Sequence, residues 1–282
     1  MTRFDELLHK GYWQSFEVEE VLFEEKNDLQ HLVIFQSPSH GRVLALDNIV
    51  QVTEADNFFY HEMLAHLPII AHGAVTEVLI IGGGDGGTLK EVLRHPGVQA
   101  TLVEIDQAVV DLCVKYMPSV SAGAFDDPRC DLVIADGLKY VAETDKRFDI
   151  IIVDSTDPVG PGEVLFSESF YRDCKRCLKP GGLLATQNGV PFFQPEEVTT
   201  TYGRLNPIFE DVWFFQTPVP TYVGGMMTLA WATDDPSLRH QPVEDLVERF
   251  VASGITTRYY TPGIHWGSLH LPPYITDMMD QA

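Results

Sequence analysis

Apolar and polar positions alternate from residue 12 to about residue 53, the pattern of half-buried strands. Ser15-Phe16-Glu17-Val18-Glu19 and His31-Leu32-Val33-Ile34-Phe35 are rich in residues that favour strands. Gly41 to Gln51 predicts a hairpin whose turn is Asp47-Asn48. These segments predict a small antiparallel β domain over residues 1–55. The period then changes, and Glu54 to Ala71 predicts a helix with Phe58, Met63, Leu64 and Leu67 on one broad apolar face.

From residue 76 onward, short apolar runs alternate with helical segments. Candidate strands are Glu77–Ile81, Ala100–Ile105, Asp131–Ala135, Asp149–Asp154 and Leu183–Gln187, with helices such as Gln107–Tyr116 between them. That order predicts an α/β fold over residues 56–282, a doubly wound and mostly parallel sheet with helices on both faces. Asp211–Gln216 and Met226–Thr233 read as antiparallel strands at one edge, and a late helix, Val243–Ala252, ends at Gly254.

Composition narrows the function. The 282 residues carry 41 acidic and 19 basic side chains, a formal net charge of −22. Nucleic-acid binding needs clustered Lys and Arg, so it is not expected. The charge is either an ordinary solvated surface or a field that attracts cationic substrates. No apolar run reaches the roughly 18 residues of a membrane span, and Met1 to Lys10 has no signal-peptide character; a cytoplasmic protein is expected. Of the four cysteines, Cys174 and Cys177 form a C-x-x-C on an expected helix, Ser167–Leu178. Cys113 and Cys130 make no second pair, so buried free thiols are expected and no metal site.

The run Glu77-Val78-Leu79-Ile80-Ile81 leads into Gly82-Gly83-Gly84-Asp85-Gly86-Gly87 and then a helix, Thr88–Arg94. A strand, a glycine turn and a helix are how open α/β sheets hold an adenosine ligand. Asp85 sets this turn apart. A phosphate-binding turn offers N–H groups and positive potential, and a carboxylate inside it repels a pyrophosphate. A positively charged adenosine ligand, a sulfonium of the S-adenosylmethionine type, suits it better than NAD or ATP.

Ligands in such sheets lie beyond the carboxyl ends of the strands, and four predicted strands lead into acids there. They are Asp85, the pair Glu104 and Asp106, then Asp136, and finally Asp154 with Asp157. Any one acid can simply cap the next helix, and for Asp106 that reading is favoured. Acids from four strands on one rim repel each other unless a cation joins them. Glu104 lies about 20 residues past the turn, where an acid hydrogen-bonds ribose hydroxyls. Asp136-Gly137 lies where an adenine amino group could be held. Asp154 to Phe166, with two prolines and two glycines, predicts a loop that could close over a ligand.

The glycine turn, Val103-Glu104-Ile105-Asp106, and Asp154-Ser155-Thr156-Asp157-Pro158 with Gly160-Pro161 and Leu165-Phe166 together resemble the spermidine synthase family of aminopropyltransferases, bacterial type. Leu46-Asp47, Val50-Gln51-Val52-Thr53-Glu54, Phe59-Tyr60-His61-Glu62-Met63 and Pro220-Thr221-Tyr222 extend the resemblance over nearly the whole chain. It implies a methyltransferase-like Rossmann domain, no permanently bound cofactor, decarboxylated S-adenosylmethionine as co-substrate, putrescine as acceptor, and a homodimer or homotetramer. By resemblance, Gln30, Glu104, Asp136 and Gly137 hold the nucleoside under Pro161, and Asp85 meets the ammonium of the aminopropyl arm. Tyr60, Asp154, Asp157 and Tyr222 line the diamine channel, Asp154 is the proton acceptor, and Gln51 and His61 join the substrate-binding set. His61 stands where many relatives carry Gln, though bacterial members often have His, and Met227 stands where some place Trp; both bear on the choice of amine. Other readings are an aminopropyltransferase for cadaverine, agmatine or spermidine, an S-adenosylmethionine methyltransferase, or a silent polyamine-binding protein. Asp85 and the doubled acids argue against the methyltransferase.

Overall fold

A computed structural model of the chain describes residues 2–156 and 164–282. The N-terminal part is antiparallel throughout. Strands β1 (Arg3–Glu6) and β2 (Gln14–Glu17) pair with Phe4 opposite Phe16. A four-stranded sheet follows in the order β3 (Glu20–Lys26), β4 (His31–Ser37), β5 (Gly41–Leu46) and β6 (Ile49–Thr53). The β5–β6 turn is Asp47-Asn48, as expected. Both residues are left-handed, at φ 49° and 65°, the backbone that matches the twist of a tight hairpin. The Asp47 carboxylate also accepts the His31 N–H at 2.9 Å. β1 lies ahead of the alternating stretch and was not expected.

This sheet is covered on both faces, so its alternation sorts two cores rather than core from solvent. Val33, Phe35, Val43 and Ala45 pack with Phe4 and Phe16. Leu32, Ile34, Leu44 and Leu46 pack on Val109, Leu112 and Cys113, which belong to a helix of the second part of the chain.

That part opens with helix α1 (Asn57–His72), which starts three residues later than expected. Glu54 to Asp56 form a turn instead. The Asp56 carboxylate accepts from the Thr53 hydroxyl at 2.5 Å and from the N–H and hydroxyl of Thr221 at 2.8 and 2.5 Å. All residues from Tyr60 to Ala71 are buried, which overturns the one-faced reading of this helix. It lies between the main sheet, the helix that follows the glycine turn and the C-terminal segment, and so has no solvent side.

The main sheet has seven strands in the order β12 (Asp211–Pro218), β13 (Met226–Thr233), β11 (Leu178–Gln187), β10 (Phe148–Asp154), β7 (Glu77–Gly82), β8 (Gln99–Glu104) and β9 (Cys130–Ile134). β7 to β11 are parallel, and β12 and β13 are antiparallel at the edge, as expected. Helices α1 and α2 (Gly87–Leu93) cover one face. α5 (Gly137–Glu143), α6 (Glu168–Cys177), α7 (Pro195–Leu205) and α10 (Pro273–Met279) cover the other. Helix α3 (Gln107–Tyr116), with the short α4 (Pro118–Ser121), is the one under the N-terminal sheet. Cys174 and Cys177 are buried in α6, the Cys177 thiol 3.3 Å from the carbonyl of Val141. Helices α8 (Val243–Ser253, ended by left-handed Gly254) and α9 (Pro262–Ser268) complete the set. No helix among the described residues is long and apolar enough to cross a membrane.

The chain adds strands on one side of β7 and then returns to lay β10 on the other. The crevice between the carboxyl ends of β7 and β10 is therefore the switch point at which such sheets take ligands.

One buried acid fastens the C-terminal segment to α1. Glu62, 1 % exposed, accepts the backbone N–H groups of Arg258, Tyr259 and Tyr260 at 2.8, 2.8 and 2.9 Å. Glu62→Ala removes the acceptor of three backbone donors, that of buried Tyr260 among them, and should cost about 3 kcal/mol. Urea denaturation checks this; a loss below about 1 kcal/mol would mean that water replaces the carboxylate.

Candidate functional site

The cavity at the switch point is lined by the glycine turn after β7, the ends of β8 and β10, the segment after β9, α1, and parts of the N-terminal sheet. Its lining is rich in carboxylates, with His61 as a counter-charge to Asp85. Glu6, Asp47, Asp85, Glu104, Asp136 and Asp154 all reach it, and no Lys or Arg does among the described residues.

Asp154 ends β10. Its Oδ1 accepts the Tyr60 hydroxyl at 2.7 Å, and its Oδ2 accepts the Thr88 hydroxyl at 2.6 Å. Gly83 lets the turn lie against this carboxylate; a Cβ there would stand 2.7 Å from Oδ2, and its φ of 68° disfavours a side chain as well. Burial and the neighbouring Asp85 push the Asp154 carboxyl above the ordinary range, against the pull of His61 and the two hydroxyls. Burial and the same carboxylate push the Tyr60 phenol well upward, so it stays a donor.

Asp85 is held from two sides. Its Oδ1 accepts the Gly87 N–H at 2.6 Å, and the His61 Nε2 lies 3.5 Å away. Burial opposes ionisation of Asp85, but the imidazole and the Gly87 N–H outweigh it and lower its pKa. His61 is buried, which disfavours its charge, yet Asp85 raises its pKa above the ordinary value. The ring of His61 rests on the backbone of Gly87, where a Cβ would come within 2.1 Å of Cε1. The doubled glycine of the turn thus makes room for this residue.

At the other end, Glu104 spans the turn and its own strand end. Oε2 accepts the Gly84 N–H at 3.1 Å and Oε1 accepts the Asp106 N–H at 2.9 Å. Burial raises its carboxyl to about 7. Asp106 is the cap expected of it: Oδ1 accepts the Ala108 N–H of α3 at 2.9 Å. Its Oδ2 accepts the side-chain amides of Gln30 and Asn27, each at 2.8 Å. Gln30 thus reaches the cavity from the loop between β3 and β4 while tied to α3. Asp136 caps α5 through Oδ1, at 2.9 Å from the Leu138 N–H, and Gly137 is buried beside it under Ile81.

The site residues expected from the sequence divide as follows. Gln30, Gln51, Tyr60, His61, Asp85, Glu104, Asp136, Gly137, Asp154 and Tyr222 come together on one cavity. Tyr222 donates its hydroxyl to the Gln51 carbonyl, which joins the loop before β13 to the N-terminal sheet. Asp157 and Pro161 lie outside the described residues. Glu6 and Gln14, from β1 and β2, line the cavity and were missed, as were Gln187 and Gln194. Their chemistry gave no signal, because a lone acid or amide carries no spacing that sets it apart from an ordinary polar position. Among the described residues no group of three His, Cys, Asp or Glu side chains is arranged to hold a metal ion.

Fold and lining together define a nucleoside-binding α/β domain whose site is built for cations. Comparison with known proteins narrows this to a family. Residues 57–242 match the spermine/spermidine synthase domain, and residues 3–54 match the spermidine synthase tetramerisation domain. The chain belongs to the spermine/spermidine synthase family. It is 55 % identical to a polyamine aminopropyltransferase of Pseudomonas syringae pv. tomato, over 100 % of this chain and 99 % of that protein. It is 56 % identical to polyamine aminopropyltransferase 1 of Pseudomonas aeruginosa, over 98 % and 96 %. Its structure matches a spermidine synthase solved in complex with the transition-state analogue AdoDATO, with a TM-score of 0.93, 36 % identity, and coverage of 99 % of this chain and 95 % of that one. The spermidine synthase of Thermotoga maritima matches with a TM-score of 0.90 and 34 % identity, over 99 % and 94 %.

The raised carboxyl of Glu104 has a consequence for stability. Its pKa is about 7 in the folded chain against an ordinary 4.5, so the folded form holds the proton more tightly. That contribution is present below the lower value and lost as pH rises through the upper one. Glu104→Gln lacks this linkage, so its stability relative to the parent should improve by about 3 kcal/mol from acid to mildly alkaline pH. Urea denaturation at pH 4.5 and pH 8 measures the difference; a constant offset would show that Glu104 titrates normally.

Proposed function

We propose that this chain transfers the aminopropyl group of decarboxylated S-adenosylmethionine to putrescine, giving spermidine and 5′-methylthioadenosine. The observation that carries the reading is the cluster of carboxylates on the cavity at the switch point, with no Lys or Arg among the described residues that line it. A sulfonium nucleoside with an ammonium arm and a diamine are both cations, and each would relieve repulsion among these carboxylates. Family membership and the named activity of the relatives support the same reading.

In this reaction the amine nitrogen attacks the methylene beside the sulfonium. A C–N bond forms, the C–S bond breaks with its electron pair going to sulfur, and the ammonium product loses a proton. The attacking amine must be neutral, against an ordinary pKa of about 10. Asp154 is the proton acceptor. A carboxylate at an ordinary pKa of about 3.9 is a weak base, and burial beside Asp85 makes Asp154 a stronger one. Much of the rate comes from holding two cations in line. Asp85 receives the ammonium of the aminopropyl arm, Glu104 the ribose hydroxyls, and Asp136 and Gly137 the adenine, with Gln30 at the same end. Gln51, Tyr60, His61 and Tyr222 line the amine end, where the tyrosine rings offer faces to an alkyl ammonium. Asp157 and Pro161 take their roles, amine binding and cover of the nucleoside, from the resemblance alone. A division at residues 1–55 and 56–282, a cytoplasmic location and a homodimer or homotetramer complete the reading; the match of residues 3–54 to a tetramerisation domain supports the assembly.

A broader acceptor range is the second reading. The curated relatives are named for polyamines rather than for putrescine, and Glu6, Gln14 and Gln187 add polar groups to the same cavity.

Mass spectrometry of products from decarboxylated S-adenosylmethionine with putrescine, cadaverine, agmatine and spermidine tests both. Spermidine with methylthioadenosine is the expected outcome, and a methylated product would overturn the reading. In the same assay Asp154→Asn should lower turnover about 100-fold or more while nucleoside binding survives. Near-normal turnover at saturating putrescine would remove Asp154 from its role.

Asp85 should also set discrimination against S-adenosylmethionine, whose extra carboxylate would face a like charge. Asp85→Asn should weaken the decarboxylated compound and narrow the ratio of the two affinities by about tenfold or more. Calorimetric titration of both compounds decides; an unchanged ratio leaves Asp85 only a turn-shaping role.

A further inference from the structure

Thr88 is the second residue of α2, directly after the glycine turn, and is wholly buried. It lies behind the cavity wall rather than on it, unlike Tyr60. Its hydroxyl donates to Oδ2 of Asp154 at 2.6 Å, while the Tyr60 hydroxyl donates to Oδ1 at 2.7 Å. Gly83 packs on the Oδ2 side, where an added Cβ would stand 2.7 Å away. The two carboxylate oxygens therefore have different surroundings. Oδ2 has the buried Thr88 hydroxyl and the Gly83 backbone against it, and Oδ1 has the hydroxyl of Tyr60, a residue that lines the cavity.

We propose that Thr88 is a positioning residue for aminopropyl transfer: its hydroxyl pins Oδ2 of Asp154 to the wall and so presents Oδ1 to the attacking amine as the proton acceptor. This rests on the function proposed above. The aliphatic part of Thr88 fills its pocket as Val would; only the hydroxyl can restrain the carboxylate. Without it, Oδ2 is buried with one donor fewer, the carboxylate can rotate away from the reaction line, and its ionised form is less favoured. The other groups that act on this carboxylate are Asp85 from the turn, His61 and Tyr60 from α1, with Lys90 of α2 and Tyr222 of the loop before β13 acting on those neighbours. All of them remain in a Thr88 variant.

The test compares Thr88→Val, which keeps shape and loses the donor, with Thr88→Ser, which keeps the donor. Single-turnover rates with decarboxylated S-adenosylmethionine and saturating putrescine read the chemical step directly. Thr88→Val should slow it about tenfold to a hundredfold, the effect of losing a hydrogen bond to a charged group. The acid limb of its pH profile should move up by about one unit. The KM for the nucleoside should stay within about twofold, because Thr88 does not line the cavity. Thr88→Ser should keep most of the rate and the parent pH profile. If Thr88→Val does not fold, Thr88→Cys, whose thiol is a poor donor, carries the same expectation. Parent-like rate and pH profile in Thr88→Val, or an equal loss in Thr88→Ser, overturns the proposal alone. Absence of spermidine from the unaltered chain overturns the proposed function, and this inference with it.

Discussion

Two half-buried carboxylates, Asp85 and Asp154, share the end of an apolar sheet, and the site is organised around that repulsion. Each is made harder to ionise by burial, and Asp154 further by Asp85. Within the chain His61 answers Asp85, and the hydroxyls of Tyr60 and Thr88 answer Asp154. These partners lower the cost of keeping negative charge there without cancelling it. What remains is an affinity for a cation of the right shape. A ligand that brings positive charge to both carboxylates gains from each, and an anionic one loses at each. Selectivity of this kind needs no flexible recognition surface, only acids held where they cannot avoid one another.

Holding them takes the whole fold. The acids sit at strand ends, but their partners arrive from elsewhere in the chain. α1 brings Tyr60 and His61, and its burial on all sides leaves it no freedom to turn. The N-terminal sheet is wedged on α3, and its Gln30 and Asn27 fasten to Asp106 at the rim. Asp56 ties the start of α1 to Thr221, next to Tyr222, whose hydroxyl then closes on Gln51. The parts of the cavity lining are thus connected through the backbone of the same few turns. Pre-organisation of that kind lowers the entropy that a reaction between two bound cations would otherwise lose.

Much of this was legible beforehand, because the signals are local. A period of two marked β4 to β6, and Asp47-Asn48 marked their turn. Alternating apolar runs marked the parallel sheet, and acids after successive strands marked its ligand edge. The reading faltered where a segment's surroundings rather than its own pattern decide its burial. α1 was read as one-faced because periodicity assumes a solvent side, and tertiary packing removed it. β1 was missed because its four residues become a strand only by pairing with β2. Glu6 and Gln14 carried no local signal, and it is the pairing of those strands that sets them side by side on the cavity.

The sequence by itself therefore determined the seven strands of the main sheet and their order along the chain, the doubly wound architecture and the acidic character of the site. Backbone propensity, side-chain period and charge are properties that residues carry with them wherever the chain goes. Only the tertiary structure decided which acid faces which partner: His61 against Asp85, Gln30 on Asp106 and Thr88 behind Asp154. Those pairings span from 24 to 76 residues of sequence. They depend on ångström-scale distances between elements, and the energy that selects them comes from burial, which no short window of sequence contains.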